Sequence, residues 1–311
     1  MALTPGDRRN FSTMADLADL FPGFGSHTAS TDAGRLFTRT GGSGPPLLLL
    51  HGFPETAAMW HRIAPALATR FTLVIADLRG YGWSSVPASH EGRGYIKRVM
   101  GCDMVALMDD LGFARFAVAG HDRGARVAYR LALDEPGRVS KLALLDIVPT
   151  VSVWRARETD SAVAPHWPWL AGPEPGPEKT IERDPDGYFE GLMGKWTEGG
   201  SLDAFDPRAL AHYRAAWGDP SRIHAMCEDY RAGATQDLEA DRGDEAAGKT
   251  IDCPVLILAS SHYLVKSNDA PPIDIWRGGF APGAESAQID SGHFLAEENP
   301  DATAEALMSF L

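Results

Sequence analysis

Short apolar runs alternate with stretches of helical spacing along the first half of the chain. Apolar runs of strand length lie at 36–39, 47–50, 71–76, 116–119 and 142–147, and helical patterns lie at 95–111 and 123–133. Strands that are apolar on both faces and alternate with helices are typical of a parallel sheet covered on both sides. The pattern therefore predicts an α/β fold with a mostly parallel central sheet.

The pattern changes near residue 149. Residues 149–248 are rich in Trp, Pro, Glu and Arg, and carry short helical patterns at 207–217 and 221–233 but no strand pattern. Strand patterns return at 255–259 and 284–289, followed by a helical pattern at 300–311. This last part is too short to form a sheet of its own, so we favour one domain interrupted by an insertion over two sequential domains. We predict a core domain (14–148 and 249–311), a helical cap domain (149–248) and a flexible extension (1–13).

Composition excludes several classes of function. The net charge of −13 is a poor match to nucleic acid or to an anionic membrane surface, and no block of basic residues offsets it. No apolar run approaches the 18 or more residues of a membrane span, and no secretory signal is visible. The three cysteines, Cys102, Cys227 and Cys253, are widely spaced and have no zinc-ligand pattern. We expect a cytoplasmic protein without a metal centre.

The strongest chemical signal is Val118-Ala119-Gly120-His121-Asp122-Arg123-Gly124-Ala125, where a strand runs through a sharp turn into a helix. Small residues flank the turn, as in the nucleophile elbow G-x-S-x-G, but Asp122 occupies the position of the serine. A carboxylate at a helix N-terminus can displace a leaving group from saturated carbon and form an ester. Asp122 is therefore predicted to be a nucleophile; the alternative is an ordinary helix-capping aspartate.

Hydrolysis of such an ester requires a general base, and His293 follows the last predicted strand in the right chain order. Asp146 directly follows the strand at 142–147 and is the preferred acid to orient the histidine; Asp269, in a polar loop, is the alternative. The loop after the strand at 47–50 could supply a second N–H to an oxyanion hole. Its donors would be the backbone N–H groups of Phe53 and Arg123.

These motifs resemble the α/β-hydrolases of the haloalkane dehalogenase and epoxide hydrolase branch, over about residues 14–311. The segment 77–84 is shared by both groups and does not discriminate between them. A narrower resemblance, to the fluoroacetate (haloacetate) dehalogenases, rests on 122–126, on His166-Trp167 and on Tyr230.

Two arginines support the narrower resemblance on physical grounds. Arg123 and Arg126 are three residues apart on the predicted helix, so both side chains can approach one site. Paired guanidinium groups beside a nucleophilic carboxylate favour an anionic substrate. The alternative is an Asp–Arg surface pair and one solvated arginine.

The resemblance implies hydrolysis of haloacetates, fluoroacetate among them, to glycolate and halide by a homodimer that needs no cofactor. It also implies that Arg123 and Arg126 bind the substrate carboxylate, and that His166, Trp167 and Tyr230 donate hydrogen bonds to the halide. Those three residues could instead be aromatic packing within the cap, as expected for some of the cap tryptophans: Trp154, Trp169, Trp196 and Trp217.

Two rival functions remain. An epoxide hydrolase would use the same triad with two cap tyrosines, for which Tyr213 and Tyr230 are available, although the arginine pair does not suit a neutral epoxide. A non-catalytic ligand receptor is disfavoured because no member of the triad is missing. One departure from the family pattern lies at 260–266, Ser-Ser-His-Tyr-Leu-Val-Lys, where a smaller loop containing glycine is expected near the mouth of the site.

Overall fold

One sheet organises the molecule. The computed structural model describes residues 17–265 and 270–311, so the predicted extension 1–13, Lys266 and Asp269 lie outside the described residues. The eight strands run in the order β1-β2-β4-β3-β5-β6-β7-β8. β1, β2 and β4 are joined by antiparallel pairing, and all later neighbours are parallel. The strands are β1 (Gly25–Thr31), β2 (Gly34–Gly42), β3 (Pro46–Leu50), β4 (Thr72–Ala76), β5 (Phe116–His121), β6 (Val139–Leu145), β7 (Val255–Ser260) and β8 (Glu285–Ile289).

The parallel strands are buried, as their apolar runs predict. Residues 47–50 of β3 are fully buried, and every residue of β5 and β7 is buried. The first strand was missed by the sequence pattern because β1 is largely exposed at the edge of the sheet and carries no apolar run. The predicted α/β class with a mostly parallel sheet is confirmed.

Helices cover the sheet and fill the gap between β6 and β7. In the described residues the helices are α1 (Ala64–Leu67), α2 (Lys97–Asp110), α3 (Asp122–Asp134), α4 (Thr150–Thr159), α5 (His166–Leu170), α6 (Gly176–Ile181), α7 (Pro185–Trp196), α8 (Pro207–Trp217), α9 (Pro220–Ala234), α10 (Gln236–Ala246), α11 (Pro272–Gly278), α12 (Leu295–Glu298) and α13 (Pro300–Phe310). None of them has both the length and the apolar character needed to cross a bilayer.

Between β6 and β7 the described chain forms helices only, α4 to α10. Three of them begin with an Asp-Pro pair: the side chains of Asp184, Asp206 and Asp219 each accept a backbone N–H, and proline follows as the first helical residue. Proline lacks only an N–H that would have no partner in the first turn, so the pair is a strong start signal. The division of the chain into core and cap domains stays a prediction.

Candidate active site

A strained turn presents Asp122 at the end of β5. The residue has φ +41°, a left-handed conformation that is uncommon for a residue with a side chain. A Cβ on Gly120 would lie 2.7 Å from the Cα of Ala125, and one on Gly124 would lie 2.4 Å from the carbonyl oxygen of His51. Only glycine fits these two positions, so the sequence G-x-D-x-G is required for β5 to turn this sharply into α3.

Positive groups surround the Asp122 carboxyl. Burial alone would raise its pKa, but the charges of His293, Arg126 and Arg123 outweigh that effect and lower the pKa below its ordinary value. Asp122 is also the first residue of α3, where the helix dipole favours negative charge. The side chain is therefore ionised at neutral pH, as nucleophilic attack requires.

The loop after β3 lies directly against this turn. A Cβ on Gly52 would lie 2.8 Å from the Cβ of Asp122. The ring of His51 fixes the loop: its Nε2 accepts the N–H of Leu78 at 3.1 Å, and its Nδ1 donates to the carbonyl of Gly52 at 2.9 Å. The residue before Phe53 is thus in close contact with Asp122. The N–H of Arg123 lies in the first turn of α3, where it has no acceptor within the helix. The oxyanion role of these two N–H groups stays a prediction.

His293 and Asp146 meet although they are 147 residues apart in the sequence. Nδ1 of His293 lies 2.7 Å from Oδ2 of Asp146, while Oδ1 of Asp146 accepts the N–H of Ser260 at 2.8 Å. The backbone N–H of His293 donates to the carbonyl of Trp196, in the inserted segment, at 2.8 Å. These contacts place an N–H on Nδ1 and leave Nε2 of the imidazole free to accept a proton.

A second histidine supports the loop that carries His293. Nε2 of His121 donates to the carbonyl of His293 at 2.8 Å, and its Nδ1 lies 3.2 Å from Oε2 of Glu55. Burial would lower the pKa of His121, but its interaction with Glu55 outweighs that effect and raises the pKa. Both ring nitrogens therefore lie near oxygen atoms, which favours the protonated form of His121 immediately before Asp122.

These groups enclose a small cavity. Its volume is about 80 Å³, well below the ~300–1,000 Å³ typical of pockets for drug-sized ligands. Of the residues predicted from the sequence, some that line the cavity lie between β6 and β7 and others lie outside that segment. The lining comprises Asp122, Arg126, Asp146, His166, Trp167, Trp196, Tyr263 and His293, together with apolar side chains at Ile147, Val148, Val153, Val163, Ala164 and Leu264.

The two arginines differ in their pairing. Nη1 of Arg126 donates to the carbonyl of Val148 at 3.1 Å and to the hydroxyl of Thr150 at 3.0 Å. Its Nε is buried and has no acceptor among the described residues, and within those residues it forms no ion pair with a carboxylate. Burial lowers the pKa of Arg126 from its ordinary value. A buried cation that no carboxylate contacts directly can receive an anion.

Arg123, by contrast, is already paired. Its Nη2 lies 2.6 Å from Oδ1 of Asp229 and its Nε lies 3.2 Å from Oδ2, while the guanidinium carbon sits 4.4 Å from the ring centre of Tyr230. Only Nη1 is left without a partner among the described residues. Neither Arg123 nor Tyr230 is among the cavity-lining residues. A direct contact between Arg123 and substrate stays a prediction.

The three predicted halide donors form an aromatic group on α5 and α9. The ring centres of His166 and Trp167 lie 5.8 and 6.2 Å from that of Tyr230. Within residues 17–265 and 270–311, the indole N–H of Trp167 and the hydroxyl of Tyr230 have no hydrogen-bond partner. Burial lowers the pKa of His166 to about 3, so its ring is neutral and keeps one N–H donor. Donors left unpaired in a buried position are available to a ligand.

Sequence reasoning missed two residues that line the cavity. Trp196, assigned to cap packing, lies with its ring centre 4.7 Å from His166 and 5.6 Å from His293. Tyr263 lies in the segment that departs from the family pattern, and its ring centre is 4.5 Å from that of His293. Asp229 was also missed as the partner of Arg123. In the sequence, the position of a charged residue next to Tyr230 was the one feature that could have indicated Asp229.

Comparison with known proteins defines the class first. Residues 45–300 match the family model described as the alpha/beta hydrolase fold, so the chain belongs to the α/β-hydrolase family. The eight-stranded, mostly parallel sheet covered by helices agrees with that assignment.

Among curated relatives, the fluoroacetate dehalogenase of Burkholderia sp is 46% identical over 87% of this chain and 88% of that protein. The soluble epoxide hydrolase of Corynebacterium sp. (strain C12) is 30% identical over 91% of this chain and 96% of that protein. Among solved structures, a candidate alpha/beta hydrolase from Nostoc sp PCC 7120 has a TM-score of 0.87 and 45% identity, covering 92% of this chain and 97% of that one. The chain is thus a hydrolase similar to fluoroacetate dehalogenase.

Proposed function

We propose that the protein hydrolyses haloacetates, including fluoroacetate, to glycolate and halide through an ester on Asp122. The observation that carries this proposal is the buried guanidinium of Arg126, which lines the same small cavity as Asp122 and has no carboxylate partner among the described residues. Such a cation stabilises an anionic substrate more than a neutral one. The fluoroacetate dehalogenase relative supports the same substrate class.

In the first step, an oxygen of Asp122 attacks the α-carbon of the haloacetate. A carbon–oxygen bond forms as the carbon–halogen bond breaks, and the halide leaves with the bonding electron pair. Displacement at saturated carbon proceeds in line, so the leaving halide lies on the side of the α-carbon opposite Asp122. We place the unpaired donors of His166, Trp167 and Tyr230 on that side, where they stabilise the charge that develops on the halide.

In the second step, Nε2 of His293 takes a proton from a water molecule as that water attacks the ester carbonyl of Asp122. Asp146 holds the imidazole in the required tautomer and stabilises the imidazolium ion that forms. The N–H groups of Phe53 and Arg123 stabilise the oxyanion of the tetrahedral intermediate. Collapse of that intermediate releases glycolate, which takes the proton from His293, and leaves Asp122 as the carboxylic acid. Loss of this second proton of the attacking water to solvent restores the Asp122 carboxylate.

Epoxide hydrolysis is less well supported by the same site. That chemistry would draw on two tyrosine hydroxyls, but Tyr213 is fully buried and already donates to Oε1 of Glu297 at 2.6 Å. The cavity is also small for an aryl-substituted epoxide. The epoxide hydrolase relative is 30% identical over 91% of this chain, so overall similarity alone does not separate the two reactions.

Fluoride release from fluoroacetate by the purified protein tests the proposal directly, with styrene oxide as the competing substrate. We expect release of fluoride at a rate that depends on Asp122, with an Asp122→Asn variant as the inactive control. Turnover of styrene oxide without turnover of any haloacetate would overturn the proposal in favour of epoxide hydrolysis.

A further inference from the structure

The turn after β7, residues 260–264, is built into the active site. Ser261 donates its N–H to the carbonyl of Ile289 at 2.9 Å, and His262 donates its N–H to the carbonyl of Ser291 at 3.1 Å. Within the turn, Leu264 donates its N–H to the hydroxyl of Ser260 at 2.9 Å. The N–H of Ser260 also donates to Asp146. The turn is therefore fixed on one side to the loop that carries His293 and on the other to the triad aspartate.

This attachment places two side chains of the turn, Tyr263 and Leu264, against the cavity. The ring of Tyr263 packs on the imidazole of His293 with their centres 4.5 Å apart, and its centre lies 6.1 Å from that of Trp196. Tyr263 and Leu264 are both among the cavity-lining residues. Burial raises the pKa of the Tyr263 hydroxyl far above its ordinary value, so the side chain is neutral throughout the pH range of activity. The ring acts as a wall and carries no charge.

The walls of the cavity divide between the parts of a haloacetate. Arg126 is assigned the carboxylate, and His166 with Trp167 is assigned the halide. Among the other lining side chains, Tyr263 and Trp196 are the two aromatic rings that flank His293, and we place this wall against the hydrogens of the α-carbon. Packed interiors do not yield space for an added methyl group without moving side chains. An α-alkyl group would therefore collide with this wall.

We propose that Tyr263 is a specificity-determining residue that confines the enzyme to two-carbon acids by excluding substituents from the α-carbon. This inference rests on the proposed function, because the substrate orientation follows from it. The ring achieves the exclusion by size alone, and its hydroxyl is not required.

The test compares chloroacetate with the enantiomers of 2-chloropropionate in wild type and in Tyr263→Ala, Tyr263→Leu and Tyr263→Phe. We expect Tyr263→Ala to raise the ratio of kcat/KM for 2-chloropropionate over chloroacetate by roughly 10-fold or more, within the ~10–200-fold that one methylene is worth in a pocket. Tyr263→Leu should give a smaller increase in the same ratio, and Tyr263→Phe should leave it at the wild-type value. Phe24→Ala, which removes a partly buried ring packed on Phe21 at 5.7 Å and outside the cavity, is the matched control and should not change the ratio.

A binding measurement keeps the inference separate from the proposed chemistry. The dissociation constants of acetate and propionate, measured by calorimetry, report the same wall without any bond breaking. We expect the preference for acetate in wild type to be lost in Tyr263→Ala. The role of Tyr263 would be overturned if Tyr263→Ala changed neither the ratio of kcat/KM for 2-chloropropionate over chloroacetate nor the preference for acetate over propionate in binding. Normal acetate binding with no chloride release by wild type would instead overturn the proposed function alone, and failure to bind either acid would overturn both.

Discussion

Replacement of Arg126 by alanine is the sharpest test of anion recognition. In the structure one edge of this guanidinium is held by the carbonyl of Val148 and the hydroxyl of Thr150, and its carbon lies 4.4 Å from the ring centre of Trp167. The remaining edge, which includes the buried Nε, has no acceptor among the described residues. A substrate carboxylate can thus accept two parallel N–H bonds from it.

The size of the effect follows from that geometry. A hydrogen bond to a charged group is worth about 1.5–3 kcal/mol, so loss of two should cost about 3–6 kcal/mol of substrate and transition-state binding. At 1.4 kcal/mol for each factor of ten, kcat/KM for chloroacetate should fall by roughly 10²- to 10⁴-fold. The carboxylate is bound equally in the ground and transition states, so most of the loss should appear in KM.

The assay measures chloride release from chloroacetate and from neutral chloroacetamide. Arg126→Ala should impair the amide far less than the acid, because the amide has no charge for the guanidinium to neutralise. Arg130→Ala is the matched control: Arg130 is buried one turn further along α3, pairs with Asp134 and Asp244, and is not among the cavity-lining residues. Equal losses on acid and amide in Arg126→Ala would refute anion recognition and show that Arg126 supports the fold through Val148 and Thr150.

Three further tests address other parts of the site. His293→Asn should still form the ester, so incubation with chloroacetate should add a carboxymethyl group to the peptide containing Asp122; an unmodified peptide would contradict the assigned nucleophile and base. Trp167→Phe and Tyr230→Phe should slow single-turnover reaction of fluoroacetate far more than that of bromoacetate, since fluoride depends more on hydrogen bonding as it leaves; parallel losses would assign both rings to packing. Burial raises the pKa of the Glu297 carboxyl from 4.5 to about 8, so the folded state favours the protonated acid. The free energy of unfolding should therefore fall by up to about 5 kcal/mol as the pH rises from 4.5 to 8. Glu297→Gln should therefore unfold with a weaker pH dependence across that interval, which urea titration at several pH values measures.

The core of the fold was predictable because its strands are buried on both faces. Parallel strands such as β3 and β5 appear in the sequence as continuous apolar runs. The motif G-x-D-x-G at the end of β5 predicts the sharp turn that follows this strand. The exposed edge strand β1 carries no such run, since only one of its seven residues is buried. Patterns of apolar residues indicate which segments are buried. An edge strand is held mainly by backbone hydrogen bonds, which depend little on the type of residue, so its sequence gives a weak signal.

The contact between His293 and Asp146 was predictable for a similar local reason: Asp146 directly follows β6, and His293 lies in the turn after β8. Other contacts between distant segments were not. The pairing of Arg123 with Asp229 depends on how α9 packs against α3, and neither helix encodes that packing by itself. Likewise, the position of Tyr263 over His293 depends on how the turn after β7 is hydrogen-bonded to the loop after β8. Such contacts depend on tertiary structure, so they cannot be predicted from local patterns in a single sequence.

The hydrogen bond between Ser260 and Asp146 joins two parts of the chain that are synthesised at different times. The two residues are 114 positions apart, and the chain between them must be synthesised and folded before they can meet. Until β7 pairs with β6, the Asp146 carboxyl has neither the N–H of Ser260 nor His293 as a partner, and contacts between such distant segments form slowly. The Asp146–His293 pair is therefore complete only in a chain whose last two strands have joined the sheet, although the turn at Asp122 lies before them in the sequence.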